Sequence, residues 1–215
     1  DSAFILPDGK TLYFWFIPDV RVPPERQILD GVTGIYVSHK KGGSWTEPEG
    51  VWLNDPGKLS LDGCGCIKDN EIWFCSAREG YIHSGYGSGL NWFKAEFDTS
   101  LNIWKNWRLI EFPIEYEVGE LHIHENEIYY HSNRPGGKGG MDIWAITIKS
   151  DGTWSNPRNI EINTERDEGF PALSPDGTEL WFTKDYAIWR SKKVDGRWTE
   201  PEKMFSPISV KLVHR

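Results

Sequence analysis

A chain of 215 residues is long enough to bury a substantial core within one domain. Its 24 Lys+Arg against 32 Asp+Glu leave a net charge of −8, which excludes a nucleic-acid partner held by clustered positive charge. The 12 Trp, 8 Tyr and 10 Phe, set among 22 Gly and 13 Pro, exclude both a disordered chain and a helical bundle. No apolar run approaches a membrane span. No secretory leader is read at Asp1, so the sequence reads as a mature or trimmed chain.

In chain order, the same unit recurs four times. A strand leads into a turn (Pro7-Asp8-Gly9-Lys10), and an aliphatic residue with an aromatic doublet follows, Leu12-Tyr13-Phe14. After a loop over 18–31 come Ile35-Tyr36, a second turn at Lys41-Gly42-Gly43, and Trp45-Thr46-Glu47-Pro48. The second unit has its turn at Asp69-Asn70, then Ile72-Trp73-Phe74, a loop over 78–89, Trp92-Phe93 and Trp107. In the third, Glu125-Asn126 precedes Ile128-Tyr129-Tyr130, a loop over 134–140, Ile143-Trp144, Asp151-Gly152 and Trp154-Ser155-Asn156-Pro157. The fourth runs through Pro175-Asp176-Gly177-Thr178, Leu180-Trp181-Phe182, Ile188-Trp189, Asp195-Gly196 and Trp198-Thr199-Glu200-Pro201 with almost no middle loop. Ile208, Val210 and Leu212 alternate with polar residues and read as one more strand.

Four short strands per repeat predict an all-β fold, a β-propeller of four-stranded antiparallel blades. Four blades are counted in one domain over 1–215: about 1–54, 55–112, 113–162 and 163–204, with a C-terminal strand over 205–215. If the chain is a fragment, the parent has five or more. The aromatic columns are expected to pack blade against blade.

The stretch Phe170-Pro171-Ala172-Leu173-Ser174-Pro175-Asp176-Gly177-Thr178-Glu179-Leu180-Trp181-Phe182 resembles the WD40-like repeat of TolB-type propellers. Ser132-Asn133-Arg134-Pro135-Gly136-Gly137 and Gly140-Met141-Asp142-Ile143-Trp144 are similar to the middle of that repeat. The resemblance implies the fold and favours an extracytoplasmic setting, periplasmic or secreted.

Blade topology puts the middle loops and interblade connections on one face, and the long loops make it the expected working face. A non-enzymatic recognition module is the first reading, with Arg78, Tyr81, Tyr86, Arg134 and Glu168 as ligand-binding candidates for a protein segment or a carbohydrate. Innermost strands are expected to bring Asp1, Asp62, Glu120 and Glu168 to a channel mouth on that face. The alternative reading is therefore a glycoside hydrolase with Asp1, Asp62 and Glu120 as carboxylates, at stations similar to those of five-bladed arabinanase-type enzymes. Alternation also places Glu120, His122 and His124 on one face, with His122 opposite Tyr129 and Glu120 opposite His131, a set within metal-binding reach although hydrogen-bonded packing is the favoured reading. The same hairpin logic sets Cys64 opposite Cys75 and Cys66 opposite Trp73, with buried free thiols favoured over a bridge. No phosphate loop, dinucleotide fingerprint or nucleophile elbow occurs, so no cofactor is expected.

Overall fold

The computed structural model describes residues 3–81, 91–112 and 118–205, the side chains of Pro24 and Cys64 excepted. The fold is all-β, with four antiparallel sheets that are the four predicted propeller blades. Blade 1 holds β1 (Phe4–Ile5), β2 (Thr11–Phe16), β3 (Gly34–Lys41), β4 (Ser44–Trp45) and β5 (Glu49–Gly50). Blade 2 holds β6 (Ser60–Lys68), β7 (Glu71–Arg78), β8 (Asn91–Asp98) and β9 (Ile103–Leu109). Blade 3 holds β10 (Leu121–His124), β11 (Glu127–Ser132), β12 (Asp142–Thr147) and β13 (Arg158–Asn159). Blade 4 holds β14 (Glu168–Leu173), β15 (Glu179–Lys184), β16 (Ala187–Val194), β17 (Arg197–Trp198) and β18 (Glu202–Lys203). The chain forms two compact units, Asp1–Phe112 with blades 1 and 2 and Pro113–Arg215 with blades 3 and 4. The predicted strand at 208–212 lies outside the described residues.

Turn chemistry sets the strand ends. Asp69, Glu125 and Asp195 take positive φ of 56°, 52° and 49° in the tight hairpins. Blade 4 closes its middle loop in two residues, Asp185 and Tyr186, at φ 49° and 57°. In Pro175-Asp176-Gly177-Thr178 the Asp176 carboxylate accepts hydrogen bonds from Ser174 Oγ (2.6 Å), Thr178 Oγ1 (2.8 Å) and Thr178 N (3.1 Å). These bonds hold the carboxyl down at about 2.

The Trp-Thr-Glu-Pro column explains why blades 1 and 4 count five strands. Proline cannot donate to the ladder, so the fourth strand breaks there into β4 and β5, and into β17 and β18. A hydroxyl bridges each break. Thr46 Oγ1 accepts from His39 N (3.0 Å) and Thr199 Oγ1 from Lys192 N (3.1 Å), while Ser38 and Ser191 donate to the Thr46 and Thr199 carbonyls. In blade 3, Ser155 Oγ takes the Thr147 N–H in the same way (2.8 Å).

The aromatic columns supply the cores, as expected. In the first unit Tyr13, Ile35, Leu53, Ile72, Phe74, Phe93 and Ala95 form one cluster. In the second, Tyr129, Ile143, Ile160, Leu180, Phe182 and Trp198 pack together, Trp198 edge-on to Tyr129 at 6.2 Å. The third column is uneven: Trp198 is 7% exposed, whereas Trp45 is 41% exposed. Trp198→Ala is therefore expected to cost about 3–5 kcal/mol of stability. Trp45→Ala should cost less than about 1 kcal/mol. Denaturant unfolding of both variants checks this, and equal losses would contradict the packing described.

Candidate functional site

The loop between β2 and β3 carries a short helix, α1 (Pro24–Gln27), and is locked at its far end by Asp30. The Asp30 carboxylate accepts hydrogen bonds from Val32 N and Thr33 N, both at 2.7 Å. Between this loop and the 51–59 connection lies a cavity of about 530 Å³. Ile28, Val32, Tyr36, Trp52 and Leu59 give it apolar walls, and Asp62 at the start of β6 also lines it. Tyr36 is fixed by Phe14, stacked at 6.2 Å, by Phe16, edge-on at 5.5 Å, and by its own hydroxyl bond to the Val32 carbonyl (2.8 Å). Trp52 is 81% exposed. Polar side chains that line the cavity already have partners within the unit. Asp55 accepts from Trp107 Nε1 (3.0 Å), Asn54 donates to the Lys58 carbonyl (2.7 Å), and Lys58 pairs with Glu79 (3.3 Å).

Asp62, at the cavity, and Arg78 form a buried ion pair. Arg78 Nη2 lies 2.7 Å from Asp62 Oδ1, with side chains 1% and 9% exposed. Arg78 also donates from Nε to Ser76 Oγ (3.0 Å) and from Nη1 to the Leu53 carbonyl (3.2 Å). Its guanidinium lies 4.5 Å from the ring centres of both Phe93 and Trp107. Asp62 accepts further bonds from Ser76 Oγ (2.5 Å) and Ser60 Oγ (3.1 Å). Leu53 lines the cavity, so the pair holds that wall in place.

The other candidates fall out as follows. Glu168 is fully buried; it accepts from Thr164 N and Oγ1 and pairs with Lys184 at 3.3 Å. Tyr81 packs edge-on against Phe93 (5.3 Å) and Trp107 (5.7 Å). Arg134 is half-buried over the Trp144 ring at 4.7 Å. Asp1 and Tyr86 lie outside the described residues.

One register expectation is corrected, by an extra residue in the first strand of blade 2; blade 3 carries the same extra residue, but there Glu120 does stand opposite His131 and shares that place with Gly119. In blade 2 the bulge puts Gly63, rather than Cys64, opposite Cys75, while Cys66 does face Trp73. Cys66 and Cys75 are buried free thiols. In blade 3, Gly119 N donates to the His131 carbonyl (2.9 Å), and His131 N donates to the Glu120 carbonyl (3.4 Å). Gly119 thus occupies the place of Gly63 opposite Cys75 and of Gly169 opposite Thr183. One residue outward, Val118, and not Glu120, stands at the station of Asp62 and Glu168. A side chain at Gly119 would lie 2.0 Å from His131 Nε2, so this close approach requires glycine.

His122 does pair with Tyr129. His131 and His124 are used against blade 4: Phe170 N donates to His131 Nδ1 (3.1 Å), and His124 Nε2 lies 3.3 Å from the Pro175 carbonyl. Phe170 has φ 53°, which the His131 bond and ring contact at 5.0 Å hold in place. Among the described residues, no three His, Cys, Asp or Glu groups come together to hold a metal ion. Sequence reasoning missed Trp52, whose signal was its position outside all three aromatic columns.

Arg78→Leu leaves the Asp62 carboxylate buried without its cation, and should cost about 3–5 kcal/mol in denaturant unfolding. Addition of Asp62→Asn should recover part of that loss; strict additivity of the two changes would contradict the pairing. Burial pushes His131 down to about 4, and burial followed by the nearby His124 pushes His122 down to about 4. The folded state therefore binds fewer protons than the unfolded state between about pH 4 and the unperturbed value near 6.5. Stability from these rings is present above pH 6.5 and is lost as pH falls through that window. His131→Asn should flatten the fall in Tm between pH 6.5 and 4.5, and an unchanged slope would show that the ring titrates freely.

No family model and no curated protein matches the sequence. Among solved structures, the chain is similar to a protein of Agrobacterium tumefaciens described as a TolB, with TM-score 0.54 and 17% identity, covering 95% of this chain and 64% of that one. A prolyl endopeptidase structure aligns with TM-score 0.53 and 10% identity over 95% of this chain and 27% of that one. An α-L-arabinanase of Penicillium chrysogenum, solved with arabinobiose, gives TM-score 0.49 and 10% identity over 97% and 67%. The chain thus spans under two thirds of the length of the first two. The likeness is one of fold: this chain is a four-blade β-propeller similar in fold to TolB-type proteins.

Proposed function

We propose that the chain is a non-enzymatic recognition propeller that takes an apolar segment of a protein partner into the cavity of its first unit. The observation that carries this reading is that the cavity's apolar side chains stand beside polar ones that are already bonded within the unit. Ile28, Val32, Tyr36, Trp52 and Leu59 offer apolar surface, while Asp55, Asn54 and Lys58 already have partners within the unit. A carbohydrate needs unspent donors and acceptors around it, whereas an apolar side chain needs only the walls. The volume, about 530 Å³, suits a few side chains of an extended segment.

The glycoside hydrolase reading has less support. It asks for a carboxylate that can exchange a proton or stabilise charge on a sugar. Asp62 is committed to Arg78, Ser76 and Ser60, and Val118 stands where a third acid was expected. A periplasmic or secreted setting follows the TolB-like reading. Among the described residues no helix is long and apolar enough to cross a membrane.

The test is retention on a peptide array and a glycan array in parallel. Peptides rich in apolar side chains are expected to be retained, with Trp52→Ala weakening retention tenfold or more. Because Trp52 is exposed, its Tm should be unchanged within a degree or two. A glycan-only signal, or retention indifferent to Trp52, would overturn the reading.

A further inference from the structure

The repeat makes each blade a control for the others at one station. In blade 2, Asp62 stands opposite Ser76, and Arg78 follows two residues later. Its guanidinium lies over the β8 aromatic Phe93 at 4.5 Å and bonds Asp62 at 2.7 Å. In blade 4 the same station holds Glu168 opposite Lys184, which itself supplies the cation at 3.3 Å. Blade 3 keeps the cation and the ring. Arg134 follows Ser132 by two residues, and its guanidinium lies over the β12 aromatic Trp144 at 4.7 Å. The acid is gone, because the station holds Val118.

The consequence is visible in the hydrogen bonding. Arg134 Nε and Nη1 are buried and make no hydrogen bond of good geometry among the described residues, and the group beside the guanidinium, the Tyr130 hydroxyl, brings no negative charge to it. Asp142, opposite Ser132, turns its carboxylate to the loop instead, accepting from Lys138 N (2.8 Å) and Gly139 N (3.2 Å). In the same blade three more buried polar atoms make no hydrogen bond of good geometry among the described residues: Tyr130 Oη, which lies beside Arg134, Trp144 Nε1 and Asn159 Nδ2. Tyr130 pairs with Trp144 and Trp144 with Asn159 across β11, β12 and β13, so all three side chains share one sheet face. A guanidinium and three neutral polar groups on one face form a ready recognition surface for an oxyanion.

We infer that Arg134, on its Trp144 platform, binds the carboxylate of a ligand, which takes the part that Asp62 plays for Arg78. This site lies wholly in the second unit and is separate from the cavity of the first, so either can fail without the other. A buried charged donor without an acceptor is costly, and an entering carboxylate offsets that cost with charge-assisted hydrogen bonds. A competing occupant is an acid of the same chain, since Glu115 and Glu117 fall in the stretch 113–117, outside the described residues.

The test is a thermal-shift and Trp-fluorescence titration of the whole chain with acetate, against chloride and inorganic phosphate at matched ionic strength. Acetate is expected to raise Tm saturably beyond chloride. Arg134→Gln should weaken apparent acetate affinity tenfold or more. Val118→Asp should do the same while raising the ligand-free Tm, because it restores the acid of blade 2. If that variant fails to fold, Arg134→Gln still decides. No saturable response beyond chloride would overturn the proposal and leave buried water as the partner. So would a response to phosphate alone, a response that survives in both variants, or a lower ligand-free Tm for a folded Val118→Asp. Acetate binding that emerges only in Glu115→Gln/Glu117→Gln would assign the site to the chain's own acid, and would also overturn it.

Discussion

The pairing of Asp62 with Arg78 is the constraint on which the first unit depends. Two opposite charges are taken out of water there, and the desolvation this requires is offset by their close contact and by three hydrogen bonds on each group. Ser60, Ser76 and the Leu53 carbonyl complete the hydrogen bonding, and the Phe93 and Trp107 rings cover the guanidinium faces. One side chain thereby ties β6, β7 and the 51–59 connection together. The Leu53 part of the cavity wall is held by a polar anchor whose charges are already paired with each other.

That anchor also recasts what the acidic stations are for. Carboxylates at the beginnings of first strands suggested a cluster facing a ligand. In blades 2 and 4 they face inward onto a cation of the same hairpin, so their negative charge is spent within the blade. Blade 3 varies one member of this arrangement and leaves the cation over. The difference between structural charge and available charge here comes down to one residue, Val118.

The blades, their order and most of the turns were legible in the sequence because each rests on local chemistry: Asp-Gly and Asp-Asn hairpins, aromatic doublets, and Trp followed by proline. His122 opposite Tyr129 and Cys66 opposite Trp73 could be counted outward from such turns. The count failed at Cys64, and Glu120, although opposite His131, was wrongly grouped with Asp62 and Glu168, since a bulge adds one residue and changes the opposed position beyond it. Nothing short of the folded packing announces a bulge there, although the Gly in Asp62-Gly63, Val118-Gly119 and Glu168-Gly169 marks where the chain has room for it. The burial of Arg78 and Glu168 was similarly hidden, because their partners lie 16 and 16 residues away across a strand pair. The exposed ring of Trp52 was passed over because the repeat explained so many other tryptophans.

The interrupted fourth strand has a bearing on how copies of this protein behave in solution. An outermost strand presents unpaired backbone groups to any passing chain, and a long, flat one is a template for edge-to-edge association. Blades 1 and 4 break that strand at Pro48 and Pro201, with a threonine hydroxyl standing in for part of the ladder. Blade 2 keeps an unbroken outer strand, Ile103–Leu109, but furnishes it with Lys105 and Arg108, paired to Asp98, Glu96 and Glu71. Proline in one blade and paired charge in another serve the same end. A sheet-rich chain with this many aromatic residues keeps its outer edges poor partners for one another.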